Sequence, residues 1–92
     1  MEIVRVFTTI KKRVIKMDWK TRIVVDPGVM TGKPVIKGTR ITVEFVMELL
    51  GRGATVTEIL HEYDHLTPED IRACLAYASD LLKSERIYVN PI

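Results

Sequence analysis

The chain has 92 residues, of which 47% are hydrophobic and 28% are charged, and its formal net charge at pH 7 is +2. This composition is typical of one globular domain and excludes a disordered chain. Domains this small bury a modest share of their surface and often gain stability by oligomerising. The single cysteine, Cys74, cannot form an internal disulfide, and there is no apolar run of about 18 residues. We therefore predict a cytoplasmic protein that does not span a membrane.

The charge is divided unevenly between the two halves of the chain. Residues 1–40 contain ten Lys or Arg and three Asp or Glu, a net charge of +7, whereas residues 41–92 contain four and nine, a net charge of −5. The basic half is suited to a polyanion or an acidic partner, or the two halves attract each other within a monomer or across a dimer. Glutamine is absent and asparagine occurs once. Such depletion is typical of thermophilic proteins, but it leaves a mesophilic source equally open.

The first 21 residues form a basic extension. Residues 3–16 are rich in Val, Ile and Thr, which favours a strand, although Ile3, Phe7, Ile10 and Val14 also have helical spacing. We predict a strand that is docked on the domain or exchanged with a second copy. Met17 is an alternative start of the chain.

Short extended pieces and turns are predicted over residues 22–41. Strands are expected at residues 22–25 and 34–36, because both are rich in β-branched residues. Turns are expected at residues 26–28, 31–34 and 38–39, where proline fixes φ and glycine permits positive φ.

Three helices are predicted over residues 43–50, 56–63 and 68–84. Each follows a threonine that can cap it, namely Thr42, Thr55 and Thr67. Glu58 completes a capping box with Thr55, and Gly51 ends the first helix. The predicted fold class is therefore mainly α with a short N-terminal β segment, a tri-helical, helix-turn-helix-like (homeodomain-like) domain over residues 22–84, followed by a C-terminal tail over residues 85–92.

Apolar spacing predicts which face of each helix is buried. The predicted inner residues are Val43, Val46, Met47 and Leu50 in the first helix, Val56, Ile59, Leu60 and Tyr63 in the second, and Ile71, Leu75, Ala78 and Leu82 in the third.

No motif predicts catalysis, a cofactor or a metal. Residues 61–65 match H-E-x-x-H literally, but Thr67 and Pro68 start a new helix, so His65 falls in a turn instead of one turn along the same helix. The glycine-rich residues 28–34 lack the spacing and the hydroxyl of a phosphate loop. Cys74 is interpreted as a small core residue. We therefore predict that the protein is not an enzyme and has no small-molecule substrate.

The third helix corresponds to the recognition helix of a helix-turn-helix protein, but its first turn contains Glu69 and Asp70. Carboxylates are repelled by the phosphates that line a DNA groove, so ordinary groove reading is unfavourable. If nucleic acid is bound, basic residues elsewhere supply most contacts. The candidates are Lys11, Lys12, Arg13, Lys16, Arg22, Arg40 and Arg72. For Arg40 we favour the alternative that it holds helix carboxylates or backbone carbonyls in place.

Several blocks of the chain resemble domain-of-unknown-function family 433 over about residues 22–79. They are Asp26-Pro27, the run from Gly32 to Val43 that contains Gly-Lys-Pro-Val-Ile-Lys-Gly-Thr-Arg, Gly53-Ala54-Thr55, Ile59, Tyr63, Leu66 to Ile71 and Ala76-Tyr77-Ala78. Asp64 stands where the family usually has proline. The resemblance implies a helix-turn-helix-like fold, a homodimer and, for many members, an antitoxin encoded beside a PIN-like ribonuclease toxin. It implies no catalytic residues.

Three hypotheses about function follow. The first is an antitoxin-like protein of a type II toxin–antitoxin pair that neutralises a PIN-like nuclease, through its acidic helical half or through the apolar tail residues Arg86, Ile87, Tyr88 and Val89. The second is a DNA-binding regulator that controls its own operon, which is compatible with the first. The third is a structural dimer with an unknown partner.

Overall fold

A computed structural model of the protein describes residues 18–85. The predictions made for the basic extension and the tail lie outside these residues. They are the strand over residues 3–16, the nucleic-acid contacts Lys11, Lys12, Arg13 and Lys16, and the partner contacts Arg86, Ile87, Tyr88 and Val89.

Two short antiparallel strands precede the helices. A 3₁₀ turn at Trp19–Thr21 leads into β1 (Ile23–Val25), and a second at Met30–Gly32 leads into β2 (Pro34–Ile36). Ile23 lies opposite Ile36 in this sheet. The predicted strands are confirmed, except that Arg22 precedes β1 and caps the first 3₁₀ turn.

Tight turns shape this part of the chain as predicted. The Asp26 carboxylate accepts a hydrogen bond of 2.8 Å from the Gly28 amide, and the Asp26 carbonyl accepts one of 2.8 Å from the Val29 amide. Gly38 has a φ of +80°, which L-residues rarely adopt, and it turns the chain from β2 towards the first helix.

The three predicted helices are confirmed as α1 (Val43–Gly51), α2 (Val56–Glu62) and α3 (Pro68–Glu85). Thr42 Oγ1 accepts a hydrogen bond of 3.0 Å from the Phe45 amide and so caps α1. Thr55 and Glu58 form the predicted capping box of α2. These caps satisfy amides at the helix starts that have no partner within the helix.

Thr67 caps α3 in the same reciprocal way, with an aspartate in place of the usual glutamate. Its hydroxyl oxygen accepts a hydrogen bond of 3.2 Å from the Asp70 amide, and the Asp70 carboxylate accepts one of 3.0 Å from the Thr67 amide. The starts of all three helices are therefore fixed by local hydrogen bonds at predicted threonines.

One hydrophobic core joins the sheet to all three helices. Its buried residues are Ile23 and Ile36 from the sheet, Val43 and Val46 from α1, Ile59 from α2, Leu66 from the loop after α2, and Ile71, Ala73 and Cys74 from α3. Burial of a branched aliphatic side chain contributes about 1.5–3 kcal/mol, so this cluster is the main source of stability within the described residues.

The predicted inner faces of α2 and α3 are only partly correct, since Val56 in the first turn of α2 is 39% exposed. Ile71 is buried, but Leu75 is 44% exposed and Leu82 is 69% exposed. The core is contacted instead by Ala73 and Cys74, two consecutive small residues of α3 that are both fully buried. These small residues let the helix approach the rest of the core closely, and this packing orients the helix more strongly than apolar spacing does.

No helix within residues 18–85 combines the length and the apolar character that a membrane crossing requires.

Candidate binding surfaces

An ion pair ties the start of β1 to the start of α3. Arg22 Nη1 lies 3.1 Å from Asp70 Oδ1, with the Asp70 side chain 12% exposed and the Arg22 side chain 39% exposed. The other Asp70 oxygen accepts from the Thr67 amide. Arg22, predicted as a nucleic-acid contact, is thus engaged with a carboxylate inside the domain.

The exposed start of α3 carries little positive charge. Arg72, another predicted nucleic-acid contact, lies 3.5 Å from the Glu69 carboxylate, and both side chains are exposed. Because this pair is neutral and the Asp70 charge is held by Arg22, the first turn of α3 offers no net cation to a phosphate backbone.

Lys37 and Arg40 flank a groove beside the sheet. The groove has a volume of about 570 Å³ and an apolar floor of Val24, Val29 and Val35. Both basic side chains are exposed, and neither forms an ion pair with another residue of the described range. Within that range, the role of holding a helix carboxylate, which we favoured for Arg40, is taken by Arg22.

Exposed carboxylates cluster on α2 and the turn that follows it. Glu58, Glu62 and Asp64 are all exposed, and none of them forms an ion pair within residues 18–85. We call these three residues the acidic surface. Glu58 is held in place by the Thr55 amide at 2.8 Å.

An apolar strip runs along α3 beside α1. We define it as Met47, Leu75, Ala78, Leu81 and Leu82. Two adjoining grooves of about 560 and 450 Å³ share Met47 and Ala78, and Glu44 and Glu48 line the first of them. Leu81 was not predicted as part of any face. The signal in the sequence was that the apolar residues of α3 occupy more than one side of the helix.

The described chain begins directly beside this strip. Trp19 packs edge-on against Tyr77, with ring centroids 4.7 Å apart, and its Nε1 donates a hydrogen bond of 2.7 Å to Asp80. Tyr77 itself lines the first groove of the strip.

The H-E-x-x-H match carries no metal geometry in this structure. The helix ends at Glu62, so His61 lies in α2 while His65 follows it in a turn, and both are exposed. Within the described range no three His, Cys, Asp or Glu residues are grouped so that they could hold a metal ion. The predicted break in the helix is the reason.

Cys74 is a core residue, as predicted. Burial, together with the nearby negative charge of Asp70, raises the pKa of the Cys74 thiol to about 12. The thiol is therefore protonated at neutral pH and is a poor nucleophile.

A family model described as "Protein of unknown function (DUF433)" matches residues 23–78. A crystal structure of a DUF433 member protein from Anabaena variabilis is similar to this chain, with 28% sequence identity and a TM-score of 0.66. The similarity covers 90% of this chain and 77% of that one. None of the curated proteins matches the sequence significantly.

Proposed function

This chain belongs to the DUF433 family of proteins of unknown function, and from that premise we propose that it is a non-catalytic, antitoxin-like protein that binds and neutralises a PIN-like nuclease. The proposal includes the homodimeric state and the cytoplasmic location expected from the sequence. The observation that carries it is the acidic surface, where three exposed carboxylates have no basic partner within the described residues.

Electrostatic complementarity supports this choice of partner. A nuclease that cleaves RNA presents a cationic surface to its substrate, so a protein that competes with RNA must offer negative charge at a similar spacing. Residues 41–92 have a net charge of −5, and two of the three residues of the acidic surface, Glu58 and Glu62, lie on a helix whose start is fixed by a capping box. A rigid, negatively charged helix accelerates association with a cationic partner at low salt.

The first experiment is co-expression of the full chain with the product of the adjacent gene. The proposal expects that product to be PIN-like, to co-purify with this chain, and to lose RNA cleavage when complexed. If the neighbour is not PIN-like and nothing co-purifies, the proposal is wrong.

Charge reversal tests whether the acidic surface makes the contact. Glu62→Lys with Asp64→Lys is expected to slow association with the nuclease, because two attractive charges become repulsive. The association rate of this variant should also depend less on salt concentration. Neither side chain makes a hydrogen bond within residues 18–85, so folding should be unaffected. Ser79→Lys on α3 is a control for added positive charge on a different helix, and it changes the net charge by about +1 where the double reversal changes it by about +4.

A second candidate function is binding to the DNA of its own operon. Lys37 and Arg40 favour it, because both are exposed and border one groove without an ion-pair partner in the described range. Phosphate contacts predict a binding constant that falls steeply with salt. Lys37→Ala with Arg40→Ala, and separately Lys11→Ala, Lys12→Ala and Arg13→Ala, should each reduce that salt dependence. Absence of binding to the promoter at low salt would exclude this function.

A further inference from the structure

We infer that the apolar strip is covered by the N-terminal segment of this same protein, defined as residues 3–16. The inference does not depend on the proposed function, since it concerns a surface on α3 and not the acidic surface on α2.

The strip is too apolar to be an ordinary patch of open surface. Leu75, Leu81 and Leu82 are 44%, 49% and 69% exposed, and they line the two grooves that share Ala78. Isolated exposed leucines are common, but a contiguous row with grooves on either side of Ala78 marks a contact surface.

The location of Trp19 indicates which segment of the chain covers the strip. Trp19 is held on Tyr77 and Asp80, so the described chain begins beside Tyr77, which lines the first groove of the strip. Seventeen residues precede it in the sequence. Fully extended, they span about 56–61 Å, whereas the 18 residues of α3 are about 27 Å long. The segment therefore reaches every part of the strip.

The composition of the segment fits the surface. It contains large apolar residues such as Phe7 and Ile10, and five basic residues, Arg5, Lys11, Lys12, Arg13 and Lys16. The edge of the first groove is acidic, because Glu44 and Glu48 line it. Their present ion pairs, with Lys33 and Arg52, are exposed. Exposed pairs contribute little, so the two carboxylates can attract a basic segment at small cost.

The C-terminal tail is a weaker occupant. It starts after Glu85, beyond Leu82, so it would have to reverse direction to reach the strip. Residues 86–92 are seven residues with one base, Arg86, and they offer less charge to the acidic edge than the N-terminal segment does.

Paramagnetic broadening in the full chain tests the inference. Ile10→Cys carrying a nitroxide label is compared with its reduced, diamagnetic form. The native Cys74 is fully buried and should not react with the label. The oxidised label is expected to broaden the amide signals of Leu81 and Leu82 more than that of Glu58 on α2. A second label is placed at Thr8→Cys, because replacement of Ile10 could itself weaken the contact.

Variants of the strip show whether the contact is specific. Leu81→Lys with Leu82→Lys should abolish the broadening without unfolding the domain, because both side chains are exposed. Thr57→Lys on α2 is the matched control and should leave the broadening unchanged. A mixture is also prepared of isotope-labelled chains without a nitroxide and nitroxide-carrying chains without isotope label. Broadening in this mixture would show that a second copy supplies the segment, which also supports the inference.

Two results would overturn the inference. One is that neither label in the N-terminal segment broadens the strip, within a chain or between chains. The other is that a label at Tyr88→Cys broadens the strip while those at positions 8 and 10 do not, because the tail would then be the occupant.

Discussion

Substitution of Asp70 tests how the sheet is fastened to α3. Asp70→Ala removes the ion pair with Arg22 and also the carboxylate that accepts from the Thr67 amide. Loss of a capping interaction costs about 0.5–2 kcal/mol. Breaking a fully buried ion pair costs about 3–5 kcal/mol, but Arg22 is partly exposed, so solvent screens much of that loss. We expect the free energy of unfolding to fall by about 2–3 kcal/mol.

The measurement is urea unfolding followed by the fluorescence of Trp19, the single tryptophan, at fixed protein concentration. The variants are Arg22→Ala, Asp70→Ala and the double variant, and the cycle is expected to give a coupling energy of about 1–2 kcal/mol. A loss of 2 kcal/mol would lower the Tm of a domain this small by about 8–16 °C.

The neighbouring carboxylate provides the matched control. Glu69 pairs with Arg72 at 3.5 Å, but both side chains are exposed. Glu69→Ala should therefore change stability by no more than about 0.5 kcal/mol. Equal effects of Asp70→Ala and Glu69→Ala, or a coupling energy of zero between Arg22 and Asp70, would refute the structural role assigned to this ion pair.

Three further predictions concern Cys74, Thr55 and Gly38. In the folded protein the pKa of the Cys74 thiol is raised to about 12 from its ordinary value of 9.0. As pH rises from 9 towards 12, the thiol therefore ionises in the unfolded chain before it does so in the folded one. The free energy of unfolding falls across this range by up to about 1.4 kcal/mol per pH unit. Urea unfolding across this range should show a steeper loss for the native chain than for Cys74→Ala. Thr55→Ala should cost about 1 kcal/mol in the same assay through its capping box, whereas Thr57→Ala should cost less than about 0.5 kcal/mol. Gly38→Ala should cost about 1 kcal/mol from its positive φ alone, since an added Cβ meets no atom within 4 Å; an unchanged Tm would contradict this.

Local features of the fold were predictable because local chemistry decides them. Thr42, Thr55 and Thr67 begin the helices as predicted, since a capping hydroxyl acts on amides only two or three residues away. The same holds for the turn at Gly38, where φ is positive. The break in the helix between His61 and His65 was predictable for the same reason, since Thr67 begins a new helix.

Features that depend on tertiary packing were not predictable. Apolar spacing predicts a row of Ile71, Leu75, Ala78 and Leu82, but α3 has apolar residues over a wider arc than the core can cover. The sheet and α1 contact the row with the small residue Cys74, and so Leu75 and Leu82 lie outside the core. The sequence contains no local signal for which of two adjacent rows faces inward.

The charged residues of the candidate surfaces show the same difference between local and tertiary features. The excess of acid in the helical half was evident from the sequence, and the structure adds that the acids on α2 are exposed and unpaired within residues 18–85. The pairing of Arg22 with Asp70 joins residues 48 positions apart in the chain. From the sequence we favour the structural role for Arg40, whereas within residues 18–85 it is Arg22 that pairs with a helix carboxylate, and Arg40 is exposed without an ion pair.

Inhibition of the nuclease tests the central claim most directly. RNA cleavage by the purified PIN-like product of the adjacent gene is measured while this protein is added in increasing amounts. We expect stoichiometric loss of cleavage on addition of the native chain and weaker inhibition by the Glu62→Lys, Asp64→Lys variant. The difference in inhibition between the two proteins should be larger at low salt. Undiminished cleavage at a large excess of the native chain would show that this protein does not neutralise the nuclease.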